Sequence, residues 1–429
     1  MNFDNAPGAS TATAAPPGAT YRWNVILLLT ASQMIAYIDR VNLSVAAPLL
    51  IKQYHYTPAE LGLLFSLFSL VFTISLIPAG PFVDWVRARV GYIFGVLLWS
   101  VGTVLCGTTV AFTPLAVYRA FIGVGEAPMI PAGQRIIYET FPKHQRASAI
   151  ATFFAGNKIG LALGIPFAAV LLHWLGLSWV FYVTGALGFI WMVWFLATYR
   201  EKPSAPRLAK DSVRWSALLR YRTTWGIMLG QAGYLYTYYV FATWLPGYLV
   251  LQRKMSLLNS GFVGMMPFVV GVFVTIFGGW VSDWLVAQNI RITIVRKTLS
   301  VAGLLAASVF TLLGAYTNGA VLAVTFLTLA IAGFSFATGS IQSMAVDVAP
   351  PHVVSSLVSL QNFGGNIGGS FAPVITGMLI SKVSGFQVPL LITAVVALVL
   401  GCGGFGLIVG NLDDTLRPKE SAGRPVAHP

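Results

Sequence analysis

The sequence predicts an all-α integral membrane protein, with twelve transmembrane helices in two pseudo-symmetric six-helix bundles. Three observations carry this. Of the 429 residues, 56% are hydrophobic and only 9% are charged, where a soluble domain averages about 25% charged residues. Apolar segments recur twelve times along the chain, most of about 20 residues or more, which as helices suffice to cross the hydrocarbon core. The longest polar interruption, Arg200 to Arg222, leaves six segments on either side.

In order, the segments lie near 23–47, 59–83, 90–111, 114–138, 147–172, 179–199, 223–250, 260–282, 298–316, 320–346, 356–380 and 388–409. Glycine and proline inside several of them do not exclude a span. The stretch from Met1 to Thr20 is rich in Ala, Pro, Gly, Ser and Thr and lacks a charged region followed by a short apolar core. Residues 1–22 therefore read as a disordered cytoplasmic tail rather than a cleaved signal. Residues 23–199 form the first bundle, 200–222 a cytoplasmic linker, 223–409 the second bundle and 410–429 a second cytoplasmic tail.

Charge sets the orientation. With the N-terminus inside, nineteen Lys and Arg residues fall on the cytoplasmic side, seven of them in the central loop, and four (Lys52, Arg253, Lys254 and Lys382) on the outer side. That asymmetry is the positive-inside pattern. The net charge of +13 is thus mostly a topology signal and does not indicate nucleic-acid binding. Cys106 and Cys402 both lie in apolar runs and read as small core hydrophobes. The five histidines are scattered, so no metal or other cofactor is expected. No nucleophile–base pair or phosphate loop suggests an enzyme.

Three basic residues belong to no loop: Arg40, Arg119 and Lys158. With Asp39 and Glu126 they place five charges inside spans one, four and five. A charge at a helix centre costs roughly 2.5–3.5 kcal/mol on insertion, so such residues face a partner or a wet cavity. Arg119 and Glu126 are seven residues apart, about two helical turns, and so share a face. Span one ascends and span four descends, so two carboxylates and two guanidiniums can meet inside the first bundle.

The halves echo each other. Gly80-Pro-Phe-Val-Asp84-Trp85 closes span two, and Gly279-Trp-Val-Ser-Asp283-Trp284 closes span eight. Gly156-Asn157-Lys-Ile-Gly160 in span five matches Gly365-Asn366-Ile-Gly-Gly369 in span eleven. Parallel repeats with a site at their interface characterise one large class of transporters. The Gly-x-x-x-Asp box with Arg87 and Arg89 resembles the signature loop of the major facilitator superfamily. Four stretches resemble, more narrowly, its anion:cation symporter family, which includes bacterial sugar-acid carriers and vesicular glutamate and sialic acid carriers. They are Tyr37-Ile-Asp-Arg-Val-Asn-Leu-Ser, Arg119-Ala-Phe-Ile-Gly-Val-Gly-Glu-Ala-Pro128, Phe241-Ala-Thr-Trp-Leu-Pro246-Gly-Tyr-Leu and Asn362-Phe-Gly-Gly-Asn-Ile-Gly-Gly369. The resemblance covers the chain outside its tails.

Arg40 is the first choice for gripping a substrate carboxylate, because its planar fork matches two oxygens and stays charged; the competing reading pairs it with Asp39 or another helix. Arg119 reads as an ion-pair or gating residue, with Glu126 as one partner, or else as a direct substrate contact. The resemblance assigns proton coupling to Asp39 and Glu126. Burial favours a neutral carboxyl and a nearby arginine favours a charged one, so a carboxyl that gains and loses such a partner can take up and release a proton. A permanently ionised salt bridge is the alternative for both. Lys158 stands where the family usually has glutamine. An extra cation suits a second substrate carboxylate; otherwise it pairs internally with Asp39 or Glu126 or reaches an interface. Phe72 stands where sugar-acid carriers often have tyrosine, which argues for a less hydroxylated substrate. Tyr37, Asn157, Gln361, Asn362 and Asn366 complete the polar candidates, with Tyr234 and Tyr238 from a span that also holds Tyr236, Tyr239 and Trp244. Tyrosines there offer wall and hydroxyl together, or simply pack. Asp84 and Asp283 are expected to cap a neighbouring helix or pair with an arginine, closing the cytoplasmic side. The box departs from its pattern: Trp85 replaces a basic residue and Arg87 a glycine, with Arg87 or Arg89 left to compensate.

The expected function is a proton-coupled symporter importing a small organic anion: a sugar acid such as galactonate, glucarate or a hexuronate, or another mono- or dicarboxylate. A proton-driven drug or metabolite antiporter of the same fold is the alternative, and three buried cations argue against the apolar cavity it needs. An uncoupled channel would leave Asp39 and Glu126 without a purpose. The expected partners are a small carboxylate, protons and the lipid bilayer. The expected form is a monomer in the bacterial inner (plasma) membrane, with both termini cytoplasmic.

Overall fold

The computed structural model describes residues 19–56, 58–201, 215–255, 257–383, 385–414 and 416. Most of the two expected tails and the middle of the central linker, 202–214, lie outside the described residues, as do the side chains of Lys52 and Lys382. Regular structure among the described residues is helical. In the first half it runs α1 (Ala19–Tyr54), α2 (Pro58–Val86), α3 (Ala88–Cys106), α4 (Phe112–Glu126), α5 (Met129–Thr140), α6 (Arg146–Leu175) and α7 (Leu177–Thr198). In the second it runs α8 (Arg222–Leu251), α9 (Leu257–Ala287), α10 (Ile292–Tyr316), α11 (Ala320–Val348), α12 (Val354–Val383) and α13 (Gln387–Val396).

Two elements differ from the simple twelve. The fourth span is two helices, interrupted at Ala127-Pro128. Pro128 has no N–H to donate to the preceding turn, yet both residues keep near-helical dihedrals, so the span loses hydrogen bonding without losing direction. The twelfth span continues beyond α13 as π-helical turns over Ala397–Cys402 and Gly404–Ile408; four glycines in this stretch lower the resistance to overwidening.

Eight helices among the described residues are long and apolar enough to cross a membrane. Spans one, four, seven and eleven do not meet that measure. These four carry much of the polar chemistry: Asp39 and Arg40, Arg119 and Glu126, Gln231, and Gln361 with Asn362 and Asn366.

The helix pairings repeat. In the first half α1 packs on α6, α2 on α4, and α3 on α4 and α7; in the second, α8 packs on α12, α9 on α11, and α10 on α11 and α13. Each pair recurs six spans later. The halves meet through α2 against α12 and α6 against α9. Glycine makes those approaches possible. A Cβ on Gly80 would lie 2.6 Å from Ser356 Cα, and one on Gly279 would lie 2.7 Å from Ala147 O. Both glycines sit at the same end of the molecule, called here the base, where α2 and α9 finish and α6 and α12 begin.

A leucine at Gly279 therefore has to push α9 off α6, since overpacking costs on the order of 1–3 kcal/mol. Spin labels on the exposed residues His144 and Gln288, one in each half, are expected to move apart in Gly279→Leu. An unchanged distance distribution would show that the close approach is not what holds the base shut.

Candidate functional site

The base is closed by two crossed clasps. Asp84 accepts hydrogen bonds from the backbone N–H groups of Ser355 (3.1 Å) and Ser356 (2.8 Å) and from the Ser356 hydroxyl (2.6 Å). It thereby caps the first turn of α12 in the other half. Asp283 accepts from the N–H groups of Ala147 (3.1 Å) and Ser148 (2.6 Å) at the start of α6. The first N–H groups of a helix have no intrahelical acceptor, and the helix dipole favours an anion there. The expected capping is thus present, once in each direction.

The arginines that complete the clasps are not those the sequence put forward. Arg135 Nη1 donates to Asp84 at 2.5 Å, and its Nε donates to Glu139 at 2.9 Å. Arg296, fully buried, donates to Asp283 at 3.2 Å and to Asp347 at 3.1 Å, and Arg146 reaches Asp347 at 3.5 Å. Among the contacts of the described residues, Arg89 donates to Leu196 O at 3.3 Å, and Arg87 is exposed. Arg87 has φ of 75°, in the region glycine enters freely and other residues enter at about 1–3 kcal/mol. Arg87 thus holds a backbone conformation that a glycine would adopt without strain.

Above the base a space of about 560 Å³ opens between the halves. From the first half it is lined by Tyr37, Arg40, Phe72, Ile130, Phe154, Asn157 and Lys158. From the second it is lined by Gln231, Tyr234, Leu235, Tyr238, Tyr239, Thr338, Gln342, Asn362 and Asn366. Arg40 and Glu126 meet at its wall. Nε and Nη2 of Arg40 both donate to Glu126 Oε2, at 2.8 and 2.5 Å, while Glu126 Oε1 has no partner among the described residues. The guanidinium carbon lies 4.5 Å from the centre of the Tyr37 ring and 5.0 Å from that of Phe72, so aromatic faces hold the cation where the bilayer would otherwise penalise it.

Lys158 is buried, and its Nζ donates to Thr275 of α9 at 2.9 Å. It forms no ion pair with Asp39 or Glu126. Several other groups in the lining carry atoms with no partner among the described residues: Asn157 Oδ1, Gln231 Nε2, Tyr238 Oη and Gln342 Oε1. Buried polar atoms are almost always satisfied, so these four are available to water or to a polar solute in the cavity. Tyr234 and Tyr239 are instead engaged, with Thr338 at 2.9 Å and Asn366 at 3.0 Å.

Asp39 lies apart. Successive helical residues point about 100° away from each other, so Asp39 turns from the cavity toward α3 and α7. Trp99 Nε1 donates to it at 2.7 Å, and Asn42, itself bonded to Thr184 at 2.7 Å, donates at 3.4 Å. Trp99 can come so near because Gly95 and Gly125 let α3 and α4 touch: a Cβ on Gly95 would lie 2.6 Å from Gly125 O. Arg119 is buried with its guanidinium 4.8 Å from the Phe68 ring and Nε unpartnered; the salt bridge with Glu126 belongs to Arg40 and not to Arg119. The two carboxylates and two guanidiniums therefore form one cavity-facing pair, Arg40–Glu126, and two groups behind it.

The sequence matches the description Major Facilitator Superfamily over residues 29–373, and again over 293–427. The chain belongs to the Major Facilitator Superfamily. It is 31% identical over 430 residues to the D-galactonate transporter of Escherichia coli O6:H1, covering 93% of this chain and 98% of that one. It is 29% identical over 411 residues to a protein of Escherichia coli K12 named "Probable galactarate/D-glucarate transporter", covering 88% of this chain and 91% of that one. Among solved structures, the facilitator FucP, captured in an outward conformation, superposes with a TM-score of 0.71 at 16% identity, covering 90% of this chain and 98% of that one.

Within this facilitator fold, the candidate residues sort by place. Arg40, Tyr37, Phe72, Asn157, Lys158, Tyr234, Tyr238, Asn362 and Asn366 line the cavity. Gln361 lies behind the lining, donating to Gln231 at 3.2 Å and to Ile341 O at 3.0 Å. Tyr236 packs outside the cavity against Val240 and Ala372, and Trp244 donates to Pro373 O at 3.1 Å. Sequence reasoning missed Gln231, Tyr239 as a lining residue, Thr338 and Gln342. Gln231 and Gln342 were detectable as amides deep inside spans. Thr338 was not, because a threonine in an apolar span commonly satisfies itself on its own helix.

Proposed function

We propose that this facilitator is a proton-coupled symporter that imports a small organic anion by alternating access, and that its substrates are hydroxylated sugar acids. The observation that carries this is the cavity wall. It presents Lys158, a cation with no carboxylate partner among the described residues, and Arg40, whose partner Glu126 accepts both hydrogen bonds on one oxygen and has no partner for the other among those residues. A substrate carboxylate is the natural counter-ion for both. The unpartnered Asn157, Gln231, Tyr238 and Gln342 atoms offer donors and acceptors to a hydroxylated carbon chain. The names of the relatives agree with this class.

In this reading the base is the cytoplasmic side, both termini are cytoplasmic, and the protein works as a monomer in the bacterial inner membrane. An anion entering from outside competes with Glu126 for Arg40. As the carboxylate loses its cation it takes up a proton, which neutralises the wall. The halves, residues 23–199 and 223–409, then rock about the loaded site, the base clasps release, and acid and proton leave inward. Asp39, held by Trp99 and Asn42, tunes this exchange from behind the wall.

The test is uptake of labelled D-galactonate, galactarate and D-glucarate into proteoliposomes, with and without an inward proton gradient. Accumulation that requires the gradient is expected for at least one acid. In Lys158→Gln, the two dicarboxylates should lose about tenfold or more in half-saturation, the worth of one charge-assisted hydrogen bond of roughly 1.5–3 kcal/mol, while D-galactonate changes little. Equal loss for all three acids would mean that Lys158 binds the carboxylate they share. No accumulation of any acid under a gradient would overturn the symport reading.

A further inference from the structure

Below the cavity, toward the base, two glutamines of the first half have neither amide oxygen nor amide nitrogen partnered among the described residues: Gln33 on α1 and Gln134 on α5. Both are fully buried. Leaving a buried polar group unmet is costly, and these are two whole amides. Their places are related. Gln33 is one helical turn below Tyr37, and Gln134 one turn below Ile130; Tyr37 and Ile130 both line the cavity. Residues four apart share a helix face, so both amides continue the cavity wall downward into the closed region. Contacts with α6 support this for Gln33: a Cβ on Gly156 would lie 2.9 Å from Gln33 Cβ, and one on Gly160 would lie 2.7 Å from Tyr37 Cβ. Gly156 precedes the cavity-lining Asn157 and Lys158.

The glutamines of the second half differ. Gln361 and Gln231 hydrogen-bond to each other, and Gln361 also reaches a backbone carbonyl. Gln231, Gln342 and Gln361 each keep one unmet amide atom, whereas the glutamines with neither amide atom met among the described residues belong to α1 and α5.

We infer that Gln33 and Gln134 form a second station for the anion, buried while the base is closed and lining the route when it opens, where their amide N–H groups receive the substrate carboxylate released by Arg40. This rests on the transport reading above. It adds two residues that touch the substrate only after the halves have rocked. A carboxylate accepts hydrogen bonds only, and the amide NH2 is a donor without charge, so the station holds the anion weakly enough to let it go.

Gln33→Cys and Gln134→Cys, made singly, are exposed to a membrane-impermeant maleimide in inside-out and right-side-out vesicles, with labelling of the unmodified chain (Cys106 and Cys402) subtracted. Both cysteines are expected to react at least about fivefold faster from the base side. Reaction from neither side, or equally from both, overturns the inference whether or not any acid is transported, so its failure is distinct from failure of the symport reading. Kinetics then separate a station from a structural role. Gln33→Leu and Gln134→Leu should lower turnover about fivefold with the external half-saturation within twofold, and Gln134→Asn should recover part of the loss. Unchanged turnover, or a loss seen only as a higher external half-saturation, would return both glutamines to packing.

Discussion

Glu126→Gln is expected to abolish gradient-driven accumulation while leaving exchange of acid for acid across the membrane. The glutamine keeps the size of the side chain and can still accept a hydrogen bond from Arg40, but it can neither give up nor take a proton. Arg40 then has no competing anion, so the acid binds at least as tightly and the loaded carrier returns loaded. The measurement is paired: net uptake with an imposed proton gradient, and counterflow without one. Lost uptake with preserved counterflow places coupling at this carboxyl. Full accumulation in the variant would move coupling to Asp39, which hydrogen-bonds Trp99 and Asn42.

Arg40→Lys should raise half-saturation for every transported acid by about tenfold to a hundredfold, with no difference between mono- and dicarboxylates. Charge is kept, so a simple electrostatic role predicts little change. What is lost is the planar fork, which donates through two nitrogens to Glu126, and the seat between the Tyr37 and Phe72 rings. Lysine offers a point charge in place of that geometry. The contrast with Lys158→Gln is diagnostic, since that change should discriminate by the second carboxylate. A half-saturation within twofold of the unmodified protein in Arg40→Lys would mean that the fork serves Glu126 alone.

What was legible in the sequence depended on whether a residue broke a rule within its own segment. Arg40, Glu126 and Lys158 are charges inside apolar runs, and all three meet at or line the cavity. Asp84 and Asp283 occupied the same place in two repeats, and that symmetry foretold matching caps. Arg135, Arg146 and Arg296 broke no rule: each lay near a span end where basic residues are expected for topology, so nothing marked them as partners of Asp84, Asp283 and Asp347. Phe72 suggested a less hydroxylated substrate by its missing hydroxyl, yet in the structure its ring backs the Arg40 guanidinium, and other side chains supply the unmet polar atoms. Asp39 shows the converse: adjacency to Arg40 in sequence joined the two, while the helical turn between neighbours sends them to different sides of α1.

The paired clasps at the base have a consequence for leakage. Each half holds an aspartate that neutralises the other half's helix end, and Arg296 ties Asp283 to Asp347 as well. Releasing one clasp alone frees little space, because the second still pins the same two bodies together, yet it already strands buried N–H groups and a carboxylate. A partly parted base is therefore the state of highest energy, and parting becomes a concerted event. Such a barrier behaves as a valve with two positions, shut or fully parted, and leaves no half-open seam through which small ions could leak.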